Sequence, residues 1–221
     1  MTTHSLLRYA FGALAMAAAV TAFPAASHAL TFLLTSDHCS GGCGTPPFGT
    51  VTVTQNGTNV DISVSLADSN RFVLTGSADM QYFKFNGAPN LTNITVDQTA
   101  AGTHLIADTG SFTGDGTGNF AFGITCDTGI CGNGGANALP LGTVLSFHVA
   151  NTTVAALTGA NNLGFTFVAD ILSGTTGQTG PVASTGSVPV PAPLVGAGLP
   201  GLVLACGGLI TLARRRRQKI A

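Results

Sequence analysis

Val51-Thr-Val-Thr-Gln55, Asn56-Gly57, Thr58-Asn-Val60-Asp-Ile62-Ser-Val64-Ser-Leu66 is the stretch that decides the fold. Apolar residues alternate with Thr, Ser and Asp on both sides of an Asn-Gly pair. A period of two is that of a strand with one face buried. Asn-Gly suits the centre of a two-residue type I′ turn, because both central positions need φ > 0. That turn predicts Val53 opposite Val60 and Val51 opposite Ile62. The apolar side chains of both strands then share one face, and Thr52, Asp61 and Ser63 share the other.

Similar stretches extend outward from this hairpin. Arg71–Leu74 follows an Asp68-Ser69-Asn70 turn, and Tyr82–Phe85 ends at Asn86-Gly87. Leu91–Val96, Phe120–Ile124, Val144–Val149 and Leu163–Val168 complete the set. No segment sustains a helical period. Strands at this spacing predict an all-β protein, an antiparallel β-sandwich of about eight to ten strands, over residues 30–172. Phe72, Phe83, Phe85, Phe120, Phe122, Phe147, Phe165 and Phe167 are the expected core. Residues 173–192 are rich in Ser, Gly, Thr and Pro, show no apolar pattern, and are expected to be a flexible linker ending in a sorting motif.

Charge is scarce and unevenly placed. Only 8 % of the 221 residues are charged, against ~25 % in an average soluble domain. Residues 30–187 hold two bases, Arg71 and Lys84, against nine Asp, a formal net of −7; there is no Glu. A nucleic-acid binder working through a basic surface is excluded. Disorder is disfavoured by 45 % apolar content.

The two ends read as targeting segments rather than fold. His4 and Arg8 precede the uncharged run Ala10–Phe23, Pro24 breaks it, and Ser27-His28-Ala29 offers small residues for cleavage after Ala29. Residues 1–29 are therefore expected to be a signal peptide. Residues 193–213 carry no charge. As a helix they would span about 31 Å, close to a hydrocarbon core. Arg214, Arg215, Arg216 and Arg217 follow, so residues 214–221 form a cytoplasmic tail by the positive-inside rule.

Val188-Pro189-Val190-Pro191, the apolar span and the terminal Arg cluster together resemble a PEP-CTERM sorting signal, with Val190 where the usual motif has Glu. The resemblance covers residues 188–217. It implies export, a membrane helix, processing by an exosortase-like enzyme, and a setting rich in exopolysaccharide and biofilm matrix.

Chemistry-bearing residues are few. Cys39, Cys43, Cys126 and Cys131 form two close pairs in Gly-rich sequence. An even count in an exported domain favours disulfides, with local pairing preferred over bonds between the clusters. A four-Cys zinc site, with His38 as a substitute ligand, is the alternative. Asp108, Asp115 and Asn119, the last two in the Gly-rich loop 114–119, are calcium candidates, set against a turn that uses Asp, Asn and Gly for their backbone preferences. His104 and His148 have no carboxylate close in sequence, and no nucleophile, zinc-protease or phosphate-loop motif occurs. The expected function is that of a non-catalytic surface or matrix protein, without cofactor unless calcium binds. The alternative is a carbohydrate-binding or adhesion module, calcium-dependent in one form, with Tyr82 and exposed Phe rings as its platform.

Overall fold

The computed structural model describes residues 29–75, 80–88, 91, 93–97, 105–127 and 141–189. Thirteen strands lie within them: β1 (Ala29–Leu34), β2 (Ser36–Asp37), β3 (Gly49–Asn56), β4 (Asn59–Leu66), β5 (Arg71–Phe72), β6 (Phe83–Phe85), β7 (Ile94–Val96), β8 (Leu105–Gly114), β9 (Gly118–Cys126), β10 (Val144–Val149), β11 (Phe167–Leu172), β12 (Thr179–Ser184) and β13 (Ser187–Pro189). One helical turn, α1 (Val154–Leu157), is capped by the Thr153 hydroxyl, which accepts from Ala156 N. Sheet A runs β13-β1-β3-β4-β10-β7, and sheet B runs β2-β12-β11-β6-β9-β8 with β5 also paired to β11. Both sheets are antiparallel, as the sequence predicts. Several strands have only two or three residues, which is why the number exceeds eight to ten.

The β3–β4 hairpin forms with its expected faces and a different register. Val53 pairs with Ile62, Val51 with Val64, and Asn56 with Asn59. The turn residues are Gly57 and Thr58, not Asn56 and Gly57. Gly57 has φ of +60°, while neither Asn56 nor Thr58 has positive φ. Glycine at the first central position is the signature of a type II′ turn. The shift is two residues, so every side chain keeps its face. Val51, Val53, Val60, Ile62 and Val64 are buried.

The two sheets meet through aromatic rings. Phe32 of sheet A packs edge-on against Phe167 of sheet B, centroids 4.8 Å apart. Phe147 of sheet A lies 5.3 Å from Phe85 and 5.9 Å from Phe83, both of sheet B. All the expected core phenylalanines are buried except Phe165, which is half-buried.

Three expectations are corrected. Residues 173–189 are not a flexible linker: β12 is paired on both sides, to β11 and β2, and Gly180–Ser184 are buried. β13 pairs with β1. The domain therefore extends past residue 172 to at least Pro189. The strand expected at Leu163–Val168 starts at Phe167, because Asn161 organises a turn: its Oδ1 accepts from Leu163 N and Phe165 N. The strand expected at Leu91–Val96 is shortened to Ile94–Val96. The N-terminal 28 residues and the 193–213 span lie outside the described residues. Among the described residues, no helix is long and apolar enough to cross a membrane.

Candidate functional site

The disulfide Cys39–Cys43 closes a tight loop next to β2, with Cα atoms 5.5 Å apart. Asp37 organises this loop. Its Oδ1 accepts from Cys39 N at 2.9 Å and its Oδ2 from Cys43 N at 2.8 Å. Ser173 Oγ donates to Cys43 O at 2.8 Å, which ties the loop to the end of β11. Gly180 lets the loop lie directly on β12, because a Cβ there would stand 2.5 Å from Cys39 Cα. Cys126 is also disulfide-bonded. Cys131 lies outside the described residues.

The Cys39–Cys43 bond bears on the zinc alternative. Asp37, Cys39 and Cys43 bring potential ligand atoms within 4.8 Å of one another, but bonded sulfurs are not thiolates and do not ligate zinc as thiolates do. Among the described residues, Cys39 and Cys43 are thus bonded to each other rather than offered as zinc thiolates. His38 serves packing: its Nε2 is 2.9 Å from Ser36 Oγ, and its ring lies edge-on to Phe165 at 5.4 Å.

The calcium candidates divide. Asp115 sits in the β8–β9 turn and Asn119 at the start of β9, where Asn119 Oδ1 accepts from Thr113 Oγ1 at 2.8 Å. Thr117 N donates to Gly114 O, and Gly116 has φ of +75°. Asp, Gly and Asn thus do turn work here. Asp108 lies midway along β8, opposite Gly123. The last six residues of β8 separate it from Asp115, on the order of 20 Å, so the structure does not bring the three together.

Among the described residues the aromatic platform does not form. Tyr82 is fully buried, and the large exposed apolar residues are Ile106, Val144, Leu163 and Val188, none aromatic. Tyr82 lines a small apolar void with Phe72, Leu105, Leu141 and Leu145. Burial pushes its phenol up to about 12. A shallow, open groove lies at the turn end of the β3–β4 hairpin, lined by Gln55, Gly57, Thr58, Asn151, Thr152 and Thr153.

No protein-family profile, curated protein or solved structure matches the chain. The site therefore has to be read from its own geometry.

Two juxtapositions were not visible in the sequence. His148 Nδ1 lies 2.5 Å from Asp97 Oδ1 on the solvent side of sheet A, where both are part-exposed. Fifty-one residues separate them, and only the β10–β7 pairing joins them. The second pair is Lys84 and Asp170. Lys84 Nζ stands 3.1 Å from Asp170 Oδ1, with side-chain exposures of 0 % and 1 %. The Thr75 hydroxyl donates to Asp170 Oδ2 at 2.8 Å. Lys84 pairs with Val168 across β6–β11, so Asp170, two residues on, is its diagonal neighbour on the same face. A lysine inside a strand read as core gives a sequence signal; its partner's position gives none.

Proposed function

We propose that the chain is an exported, non-catalytic surface or matrix protein, sorted or anchored through its C-terminal tail. The observation that carries this reading is the oxidised state of Cys39, Cys43 and Cys126 in a low-charge sandwich. Such bonds persist outside the reducing cytosol. The signal-like start, the 193–213 span and Arg214–Arg217 supply a route out and a stop. The partners on this reading are an exosortase-like processing enzyme, the membrane through residues 193–213, and exopolysaccharide. Val188 and Pro189 belong to β13, so a processing enzyme takes the motif either beyond Pro189 or after β13 has left β1.

Intact mass spectrometry of the protein from its native host, fraction by fraction, tests this. A mass from Leu30 to near the motif, in the outer-membrane or medium fraction, supports sorting with cleavage. A mass running through Ala221 in the inner membrane supports a plain anchor and removes the processing enzyme. A cytosolic protein with reduced cysteines overturns the whole reading.

One observation favours a second reading, an adhesion or carbohydrate-binding module. Thr58, Asn151 and Thr152 carry hydroxyl and amide groups along the open groove at the turn end of the β3–β4 hairpin, as sugar hydroxyls require. Saturable binding on a glycan array, lost in Asn151→Ala, supports it. Absence of binding with and without Ca²⁺ removes it.

A further inference from the structure

Lys84 is the only lysine between residues 30 and 187, and it is fully buried. Lysine is almost never buried unless paired. A buried ion pair is itself weak evidence of stabilisation, because both ions lose their hydration. The site is more constrained than a simple pair requires. Adjacent strands β6 and β11 fix both backbones. Asp170 N donates to Tyr82 O, and Asp170 O accepts from Val73 N, so its backbone is fixed along the β5–β6 edge of β11. On the same face lie Val168 and Ala183, both buried, and Gly123, where a side chain would collide with Gln81. Water is excluded.

We propose that Lys84 and Asp170 condense to an amide, an isopeptide cross-link between β6 and β11. This goes beyond the sorting reading and does not depend on it. The step balances within the pair. One proton passes from the Lys84 ammonium to Asp170 Oδ1, leaving an amine and a carboxylic acid. The Nζ lone pair attacks Cγ, and Nζ–Cγ forms. A second Nζ proton passes to Oδ1, the Cγ–Oδ1 bond breaks, and one water leaves. Oδ2 remains as the amide carbonyl oxygen. No oxidant, reductant or cofactor enters.

Three features favour this reaction here. Nζ stands 3.1 Å from Oδ1, the oxygen bonded to the carbon it attacks, so the two groups are held in proximity before reaction. Charge develops on Oδ2 in the tetrahedral intermediate, and the Thr75 hydroxyl already donates to that oxygen, the role of an oxyanion donor. In water, hydration of the two ions opposes condensation. Burial removes that hydration and leaves the neutral amide the better-accommodated product. The rings and strands that exclude water also protect the amide from hydrolysis.

The full chain, reduced, alkylated and cut with chymotrypsin, is expected to yield one branched peptide joining Lys84 to Asp170, lighter than its two parts by one water. Lys84→Met abolishes that peptide. Asp170→Asn still yields the same branched product, now with ammonia as the leaving group, which guards against a Lys84 variant that fails to fold. Thr75→Val slows its appearance by about a hundredfold without preventing it. A Lys84 peptide with a free ε-amine, after prolonged incubation of the folded protein, overturns the proposal. So does a water loss that maps to cyclisation at Asp115-Gly116 and survives in Lys84→Met.

Discussion

Sheet A and sheet B are built from the same kind of sequence and solve burial differently. The strands of sheet A bury one face. β3 and β4 alternate Val or Ile inside with Thr, Ser and Asp outside. The central strands of sheet B bury both faces. β6 is buried at all three residues, and β11 at five of six. One face of sheet B meets the phenylalanine core, and the other holds Val168, Ala183 and the Lys84–Asp170 pair. Covering a second face removes the alternation that makes a strand recognisable. It also makes a polar group there costly unless it is paired.

Substitutions that distinguish the two sheets fall in a clear order. The largest effect is expected for Val182→Asp, which places an uncompensated charge in the interior of β12. The loss is about 5 kcal/mol or more, comparable to the whole stability of a domain. Circular dichroism and limited proteolysis should report an unfolded chain. A protein that stays folded would return residues 179–184 to the status of a linker. Lys84→Met comes next, at about 3–5 kcal/mol, the range for leaving one member of a buried pair behind. Urea unfolding measures it. Asp61→Ala, on the outer face of sheet A, is the matched control and should move stability by under about 0.5 kcal/mol.

Opening Cys39–Cys43 by a double Ser substitution should cost about 2 kcal/mol, since so short a loop restrains the unfolded chain only modestly. The change in midpoint should vanish when both proteins are compared under reducing conditions. The smallest effect belongs to Tyr82→Phe. Its buried hydroxyl has no hydrogen-bond partner among the described residues. Its removal should be neutral or stabilising by about 1 kcal/mol. The alkaline limb sharpens this. With the folded phenol at about 12 and the unfolded one at about 10, the unfolded state sheds the proton first. Stability carried by the protonated phenol is complete below about pH 10 and is lost as pH rises toward 12. Tyr82→Phe should flatten that part of the decline, read as urea midpoints on either side of pH 10.

The contrast also explains what could be read in advance. Sheet A was legible because Val51 to Leu66 carries turn chemistry and face in one segment. Its register was displaced because Gly57 serves a II′ turn as well as a I′ turn, and parity alone does not separate them. β12 was illegible because Gly180, Pro181, Ala183 and Ser184 are small or turn-forming residues. That composition resembles a linker, yet it is what a strand covered on both sides by close neighbours requires. β11 was placed too early because Leu163 and Phe165 extend its apolar run into a turn set by Asn161. The local disulfide at Cys39 was legible from spacing. The Lys84–Asp170 and His148–Asp97 pairs were not, because strand order, not sequence distance, creates them. Tyr82 was misplaced as a surface ring because side-chain type does not reveal which aromatics a small core will enclose.

The pairing of β1 with β13 has a topological consequence. Leu30 and Pro189 are direct partners, so the two ends of the fold stand about 5 Å apart. The domain is in effect a ring opened at one seam. Where the seam lies matters little to the two sheets. A few residues joining Pro189 to Leu30, with the chain cut at Gly57-Thr58 instead, would leave every other strand its neighbours at a small loop-closure cost. The same adjacency lets the sandwich sit within a longer polypeptide as an insertion that enters and leaves at one point.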